Sequence, residues 1–542
     1  MFALLEKENT IAGPGFNRWL VPPAALAIHL CIGMAYGFSV FWLPLTKAIG
    51  ISKSVACTGD DATFLGQAFA SQCDWKISSL TFMFSLFFVI LGSAAAIWGS
   101  WLERAGPRKA GVVAAVCWCG GLLISAYGVS VHQLWLMWLG SGVLGGIGLG
   151  LGYISPVSTL IKWFPDRRGM ATGMAIMGFG GGALIGSPLA DKLIKSFATP
   201  TSVGVAETFV TLAAVYFVFM MAGALSYRVP PSGWKPDGWT PPASASANAM
   251  ITTKQVSLSV AWRTPQFWLV WAVLMLNVAA TIGIIGVASP MIQEIFGGHL
   301  IGVDIRFTDL NPDQKKQIAT IGAAFAGLFS LFNIAGRFFW ASISDKLGRK
   351  LTYTIFFIAG ALLYLSLPGS ANAGSIAMFV GAICLIASMY GGGFATVPAY
   401  LADMFGTQMV GAIHGRLLTA WSTAGIVGPV LVTYLRESQQ KAGVPGEHVY
   451  DQALYVMAGL LVAGLVSNLL VRPVAPERAM TDEELAREKQ LAHDRASSAE
   501  RSVESGIGSG GKPVFILLAW GAVVLPLAWG VSQTLQKVAK MF

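Results

Sequence analysis

Long apolar segments constrain this chain more than any other feature of its sequence. Twelve runs of about 20 residues, each long enough to cross a bilayer as a helix, are followed by a thirteenth. The runs lie near 20–46, 77–102, 110–131, 134–161, 170–190, 206–227, 266–293, 318–343, 351–368, 375–401, 412–435, 452–471 and 513–532. Only 12% of the residues are charged, about half of what a soluble domain carries. The sequence therefore predicts an all-α, multi-pass membrane protein.

The basic residues indicate which way the chain crosses the bilayer. The sequence holds 36 Lys and Arg and has a net charge of +9. If the N-terminus is cytoplasmic, most of these residues fall in segments on the cytoplasmic side, as the positive-inside bias requires. We therefore predict a cytoplasmic N-terminus. Contact with the lipid bilayer accounts for the basic character, and no nucleic-acid partner is implied.

The chain repeats itself in three places at nearly one spacing. The segment "GSWLERAGPRK" (99–109) is echoed by "ASISDKLGRK" (341–350), with Glu103 and Asp345 separated by 242 positions, and "YISPVSTLIKWF" is echoed by "FATVPAYLADMF", with Pro156 and Pro398 also 242 apart. The segment "GFSVFWLP" is echoed by "GIIGVASP" 246 positions later. Three matches in order predict two six-helix halves, at 1–227 and 264–472. A Pro- and Ser-rich cytoplasmic linker at 228–263 joins them.

The two repeated turns are similar to the signature loop of the major facilitator superfamily, G-xxx-D-R-x-G-R-R. Each lies between the second and third helices of its half, where the superfamily carries this loop. The first copy has Glu103 in place of Asp, and the second has Ala341 in place of the first Gly. The resemblance implies a 6 + 6 helix major facilitator fold whose halves rock about a site near the membrane midplane. The loop residues expected to govern that movement are Glu103, Arg104, Arg108, Asp345, Lys346 and Arg349.

One charged residue stands inside an apolar run. Arg337 lies in "LFSLFNIAGRFFWASIS" (328–344), eight residues before Asp345, which is about 12 Å along a helix. A charge at that depth costs roughly 2.5–3.5 kcal/mol or more. The Asp and Glu residues of the spans fall near helix ends, so we expect a substrate anion to pair with this guanidinium. The alternative is a structural arginine that snorkels or caps backbone carbonyls.

Aromatic and polar side chains at a similar depth complete the predicted site. Asn333 and Trp340 lie within about one turn of Arg337, on its face of the helix. The others come from helices 1, 4, 10 and 11, which usually line the cavity in this superfamily. The predicted substrate-binding residues are Tyr36, Tyr153, Asn333, Arg337, Trp340, Tyr390, Phe394 and Trp421.

Four longer runs resemble the oxalate/formate antiporter family: "YGFSVFWLPL", "KWFPDRRGMATG", "AGRFFWASISDKLGRK" and "YGGGFATVPAYLADMFG". The resemblance implies transport of small carboxylates across a bacterial inner membrane. It also implies that Arg337 is the substrate-binding arginine and that Tyr390 and Phe394 line the site. Where the family's oxalate exchanger has a second cation, a lysine, this chain has Trp421. A single buried cation favours a monoanion such as formate, pyruvate, lactate or glycolate and weakens the case for a dicarboxylate.

Two coupling schemes fit the sequence. Exchange of one anion for another needs no proton relay, and we favour antiport because the spans lack buried acids. Proton symport is the alternative, with His414 as a proton or anion relay; His414 and Arg416 are otherwise inner-loop residues. A carboxylate sensor that binds without transporting is a third interpretation. The spans show no nucleophile with a base, no metal-ligand cluster and no paired carboxylates, so we expect that the protein is not an enzyme and has no cofactor. We also expect a monomer.

Two segments lie outside the repeated core. The loop between the first two helices carries Cys57 and Cys73, which either form a disulfide in an oxidising periplasm or remain free thiols. Residues 473–512 form a charged cytoplasmic segment. Residues 513–542 then form an extra helix that either crosses the membrane or lies at its surface. This last segment resembles the small single-span subunits of such transporters, here fused to the chain.

Overall fold

The chain folds as a bundle of long helices. A computed structural model describes residues 2–538 apart from 52, 232, 241–249, 489 and 491–512. Within that part of the chain, thirteen helices are long and apolar enough to cross a membrane. They are α1 (Arg18–Leu45), α2 (Ile77–Ala105), α3 (Pro107–Ser130), α4 (Leu134–Trp163), α5 (Arg168–Phe197), α6 (Val205–Ser226), α7 (Pro265–Ile301), α8 (Pro312–Leu347), α9 (Arg349–Asn372), α10 (Ile376–Phe405), α11 (Val410–Lys441), α12 (Gly446–Leu470) and α13 (Pro513–Gln536). The first half is α1–α6, the second half is α7–α12, and most of the charged segment before α13 lies outside the described residues.

Glycines in a left-handed backbone conformation end the helices at the two signature turns. Gly106, between α2 and α3, has a φ of 86°, and Gly348, between α8 and α9, has a φ of 85°. Other residues rarely adopt this conformation, so one helix ends there and the next begins at once. The repeat in the sequence is therefore a repeat of turn geometry. It places both turns on one face of the bundle, which we call the signature face.

The opposite face carries a folded loop between α1 and α2. Cys57 and Cys73 are joined there by a disulfide, and we call this side the disulfide face. The buried carboxylate of Asp74 accepts hydrogen bonds from the backbone N–H groups of Ile49 (2.7 Å) and Val55 (2.7 Å). The covalent link and the buried carboxylate make this loop a compact cap beside the ends of α1 and α2.

Each signature turn places an acidic side chain on the N-terminus of a helix from the opposite half. Glu103, near the end of α2, accepts a hydrogen bond from the backbone N–H of Gly411 in α11 (2.9 Å). Asp345, near the end of α8, accepts from the N–H groups of Gly169 (2.8 Å) and Met170 (2.9 Å) in α5. The first N–H groups of a helix have no intrahelical partner and favour negative charge. These two caps, related by the internal repeat, hold the signature face closed.

A chain of ion pairs joins the halves beside the caps. Asp403 of α10 binds Arg168 of α5 (2.8 Å) through one oxygen and Arg349 of α9 (2.9 Å) through the other. Arg349 also binds Asp345 (2.7 Å), which caps α5. The series runs from the first half through the second and returns to the same helix of the first half. Sequence reasoning placed Asp403 only near a helix end and missed its part in this network.

Three other residues predicted for the switch have different surroundings. Arg108 is buried, and its guanidinium donates to the carbonyl oxygens of Leu4 (2.7 Å) and Tyr227 (3.1 Å). These partners belong to the first half, so Arg108 stabilises that half internally. Arg104 and Lys346 are exposed on the signature face.

Removing one cap should loosen the signature face. Asp345→Asn loses the charge that binds Arg349 and the α5 N-terminus, an interaction worth about 0.3–2 kcal/mol, so the open population should rise several-fold. A cysteine at Thr172, a buried residue that donates to the carbonyl oxygen of Ala395 (2.7 Å), would report opening in a background without the free cysteines. Maleimide should label this cysteine faster in Asp345→Asn than in the exposed control Asp482→Asn. Equal rates would contradict the assigned cap.

Candidate anion-binding site

The guanidinium of Arg337 is fully buried at the interface of the two halves, with 0% of the residue exposed. Its Nε donates to Oδ1 of Asn333 (2.9 Å), and its Nη1 donates to the backbone carbonyl oxygen of Ile176 in α5 (3.1 Å). Its Nη2 is buried with no hydrogen-bond partner. The protein thus uses two of the five N–H donors of this group. A buried charge is costly unless it is paired, so the remaining donors favour an anion.

Aromatic rings from both halves surround this guanidinium. The Cζ atom of Arg337 lies 5.7 Å from the ring centre of Phe179 in α5 and 5.6 Å from that of Phe394 in α10. Both distances are within the range of a cation–π interaction. The hydroxyl groups of Tyr36 in α1 and Tyr390 in α10 are 3.2 Å apart and form a hydrogen bond between the halves. The rings make an apolar cage around a single cation.

Phe179 lies at the centre of this cage, although sequence reasoning did not select it. Its ring centre lies 5.0 Å from that of Tyr36, 5.4 Å from that of Tyr153 and 5.5 Å from that of Trp421. The residue belongs to the glycine-rich segment "GFGGGALIG" (178–186), where it is the one aromatic side chain. A lone ring in a segment otherwise built for close helix approach is the signal that could have found it.

Two further polar groups of the cage lack partners. The hydroxyl of Tyr153 and the indole N–H of Trp421 are buried and make no hydrogen bond within the protein, like Nη2 of Arg337. The rings of Tyr153 and Trp421 lie 5.4 Å apart. Leaving a buried polar group unpaired costs about 1–3 kcal/mol, and such groups call for a ligand or water that completes them. The free Nη2 of this cation and two further donors in the same cage can bind the oxygens of a small anion.

His414 lies inside α11 rather than in a loop. It is 1% exposed, neither ring nitrogen has a hydrogen-bond partner, and its ring centre lies 5.9 Å from that of Tyr153. It therefore adjoins the wall of the cage on the signature-face side. Arg416 points elsewhere, because its Cζ atom lies 4.9 Å from the ring centre of Trp262, which is exposed.

Trp340, which we predicted as a substrate-binding residue, makes its contacts within the second half. Its indole N–H donates to the hydroxyl of Ser388 in α10 (3.2 Å), and its ring centre lies 5.2 Å from that of Phe356 in α9. Three residues along a helix turn a side chain about 60° away from its starting direction. Trp340 therefore packs on α9 and α10, while Arg337 faces α5 and α10, and the role of Trp340 in substrate binding stays a prediction.

The family of the chain follows from its similarity to known sequences. The Major Facilitator Superfamily model matches residues 26–429 and 278–536. The chain belongs to the major facilitator superfamily. The predicted fold class is thereby confirmed: an all-helical transporter fold with 6 + 6 helices and one more candidate span. The family and fold are those of transporters rather than enzymes.

Several relatives are named for small organic anions. The "Oxalate:formate antiporter" of Oxalobacter formigenes is 25% identical over 413 residues, covering 76% of this chain and 83% of that protein. "Apicoplast pyruvate carrier 1" of Toxoplasma gondii is 25% identical, covering 72% and 78%. "Monocarboxylate transporter 2" of Mus musculus is 22% identical, covering 79% and 82%.

Solved transporter structures share the fold. The Escherichia coli fucose:proton symporter FucP aligns with a TM-score of 0.56 and 12% identity, over 84% of this chain and 100% of that chain. The proton:xylose symporter XylE aligns with a TM-score of 0.54 and 14% identity, over 84% and 95%. These likenesses establish the architecture and carry no information about substrate.

Phe179 should set the shape and affinity of the cage. Phe179→Leu keeps an apolar side chain but removes the ring beside Arg337. Cation–π and aromatic contacts are each worth about 0.5–1.5 kcal/mol, so formate or pyruvate affinity should fall roughly 5- to 20-fold. Phe356→Leu, which removes a ring packed inside the second half, is the matched control. Titration calorimetry measures both, and an unchanged affinity in Phe179→Leu would remove this ring from the binding site.

Proposed function

We propose that this protein is a secondary active transporter that exchanges small carboxylate anions by alternating access. One observation carries the proposal: Arg337 is buried in an aromatic cage with more hydrogen-bond donors than the protein satisfies. A carboxylate matches a guanidinium in charge and in its two-pronged geometry. The relatives named for oxalate, formate, pyruvate and monocarboxylates support the same substrate class.

A single buried cation favours a monocarboxylate. Trp421, whose ring centre lies 5.0 Å from that of Phe394, makes this part of the cage wall aromatic rather than cationic. Formate, pyruvate, lactate or glycolate would neutralise Arg337. A dianion such as oxalate would leave one negative charge in apolar surroundings, which is costly. Monocarboxylates are therefore the preferred substrates in this proposal, and dicarboxylates are poorer ones.

The arrangement of contacts suggests one direction of access. The caps and ion pairs described above close the signature face, so in this state the anion enters from the disulfide face. It leaves through the signature face once Glu103 and Asp345 release their helices. The basic bias and the disulfide support a cytoplasmic signature face and a periplasmic disulfide face in a bacterial inner membrane, with the N-terminus cytoplasmic. A monomer suffices for this cycle, because both halves and the site belong to one chain.

Exchange in proteoliposomes tests the proposal. Labelled formate, pyruvate and oxalate are offered to vesicles preloaded with unlabelled anion or with buffer alone. Preloading should accelerate uptake by the wild type. Arg337→Gln should abolish it, because a hydrogen bond to a charged group contributes about 1.5–3 kcal/mol and its loss weakens binding at least about tenfold. Arg337→Lys keeps the charge without the fork geometry, so its exchange rate should lie between those of the wild type and Arg337→Gln.

The controls separate the possible outcomes. Arg263→Gln changes an exposed arginine just before α7 and should exchange anions like the wild type. Normal exchange by Arg337→Gln would make the arginine structural and place the site elsewhere. Tight anion binding without flux in any protein would identify a sensor rather than a transporter.

Proton-coupled symport is the second candidate, and His414 is the observation that favours it. This buried imidazole has two unpartnered nitrogens and lies beside the unpartnered hydroxyl of Tyr153. The other titratable groups around it are His29 of α1 and Glu103, which holds the N–H of Gly411 one turn earlier in α11. In this scheme His414 takes a proton when the signature face opens, and no counter-anion is needed.

His414→Gln distinguishes the two schemes. Under symport, wild-type vesicles without internal anion should accumulate pyruvate up to about tenfold per unit of pH gradient, and His414→Gln should not. Under exchange, both proteins should require internal anion. His29→Gln is the matched control, since His29 already donates through Nδ1 to the carbonyl oxygen of Ala175 (2.5 Å). Loss of proton dependence in His29→Gln alone would assign the proton to His29 instead.

A further inference from the structure

The extra helix α13 begins against the first half. The indole N–H of Trp520 donates to the carbonyl oxygen of Trp19, at the signature-face end of α1 (3.1 Å). Val523 is buried and packs against Leu26 and Ala27 of the same helix. The third turn of α13 is thus held to α1 by a hydrogen bond and by a small apolar cluster.

Glycines bring the middle of α13 against α5. A β-carbon at Gly530 would lie 2.8 Å from the carbonyl oxygen of Leu184, and one at Gly181 would lie 2.7 Å from Cδ1 of Leu527. Helices in a membrane approach this closely where one of them lacks a side chain. Positions 181 and 530 therefore seat α13 on α5 at the depth of the anion site and beyond it.

A contact near the disulfide face reaches the second half. Thr534 of α13 packs on Gly327 of α8, where a β-carbon would lie 2.8 Å from Cγ2 of Thr534. Gly327 precedes Arg337 by ten residues, which places it about 15 Å nearer the disulfide face. The helix α13 therefore runs along the seam between α5 and α8 and touches both halves.

The packing along the seam between α5 and α8 changes at the level of the anion site. On the signature-face side, α5 packs directly on α8: a β-carbon at Gly173 would lie 2.9 Å from the carbonyl oxygen of Arg337, and one at Gly180 would lie 3.0 Å from Cγ1 of Ile334. One turn farther along α5, the backbone of Leu184 faces α13. Direct packing of α5 on α8 thus gives way to packing of each helix on α13.

We propose that α13 is a brace that stabilises the state with an open disulfide face, and that its contact with α8 breaks each time that face closes. The two halves of such a transporter turn against each other largely as rigid bodies. The extra helix packs on α8 about as extensively as on α5, but its further contacts with α1 make the first half its larger partner, so in this proposal α13 moves with α1 and α5. Closing the disulfide face brings α5 towards α8, so Gly327 must then slide past Thr534. This proposal rests on alternating access and not on the identity of the anion.

A disulfide between α13 and α8 tests the brace. A β-carbon at position 327 would lie 4.0 Å from that of Thr534, within the spacing of roughly 3.5–4.5 Å that disulfides need. The test protein is the full chain with Gly327→Cys and Thr534→Cys, and each single cysteine variant is a control. Copper phenanthroline forms the bond, and dithiothreitol breaks it. The free cysteines replaced by serine in this background are Cys31, Cys117, Cys119 and Cys384.

Oxidation should lock the disulfide face open. Exchange of formate should fall about tenfold or more, because the conformational step becomes blocked, and it should recover on reduction. Formate binding should stay unchanged, since the site is complete in this state. A third cysteine at Thr172, buried behind the closed signature face, should become protected from maleimide in the oxidised protein and reactive again after reduction; the label is read on the peptide that contains residue 172, because reduction also frees the cysteines at 327 and 534.

Two outcomes would overturn the brace. Wild-type exchange by fully cross-linked protein would mean that the contact between α13 and α8 persists through the cycle. Absence of the cross-link under oxidation would mean that α13 does not lie against Gly327. Labelling at position 172 needs no transported anion, so it decides the brace even if the substrate class is wrong. Failure of the reduced protein to exchange any carboxylate would count against the proposed function alone.

Discussion

A guanidinium without an internal carboxylate is the constraint on which the centre of this protein depends. Arg337 lies where a charge costs several kcal/mol. Its guanidinium contacts one amide oxygen, one carbonyl oxygen and the faces of two aromatic rings of the protein. These contacts orient the group and reduce the cost, but they leave its charge in place. An Asp or Glu beside it would have made a neutral pair with little to offer an anion. The charge therefore remains available to a ligand, and the unpartnered Tyr153 and Trp421 add neutral donors around it.

The helices α5 and α8 contribute both to the candidate anion site and to the closed signature face. On α8, Arg337 and Asp345 are eight residues apart, and on α5 their partners Ile176 and Gly169 are seven apart. A helix segment of two turns moves as a unit, so a ligand that changes the bond between Arg337 and Ile176 acts on the seam that the Asp345 cap also holds. Coupling between two sites requires an element with two arrangements that both sites bias. The packing of α5 on α8 is the element that fits this requirement.

The sequence predicts a structural feature well when nearby residues determine that feature, and poorly when the packing of distant helices determines it. About 20 apolar residues cross a bilayer only as a helix, and Gly106 and Gly348 end helices whatever surrounds them, so the helices and both signature turns were predictable. Arg337 was predictable because a charge inside a span is conspicuous by itself. Phe179 was not, because its role depends on which rings meet across the halves. Gly180 shows the same limit: a β-carbon there would lie 3.0 Å from Nε of Arg337, a restriction visible only once the helices are packed.

The sequence does not show which helices α13 contacts, because these contacts also depend on how the helices pack. The position of α13 breaks the symmetry of the internal repeat. The seam between α2 and α11 is the counterpart of the seam between α5 and α8, and there the helices pack directly. The hydroxyl of Ser422 donates to the carbonyl oxygen of Phe88 (2.5 Å), and a β-carbon at Gly425 would lie 3.0 Å from the ring of Phe88. Both seams thus have direct helix contact at the anion site, while nearer the disulfide face the seam of α5 and α8 is bridged by Gly530 and Thr534 of the added helix. The added helix therefore makes the two seams of the internal repeat different on the disulfide-face side of the anion site.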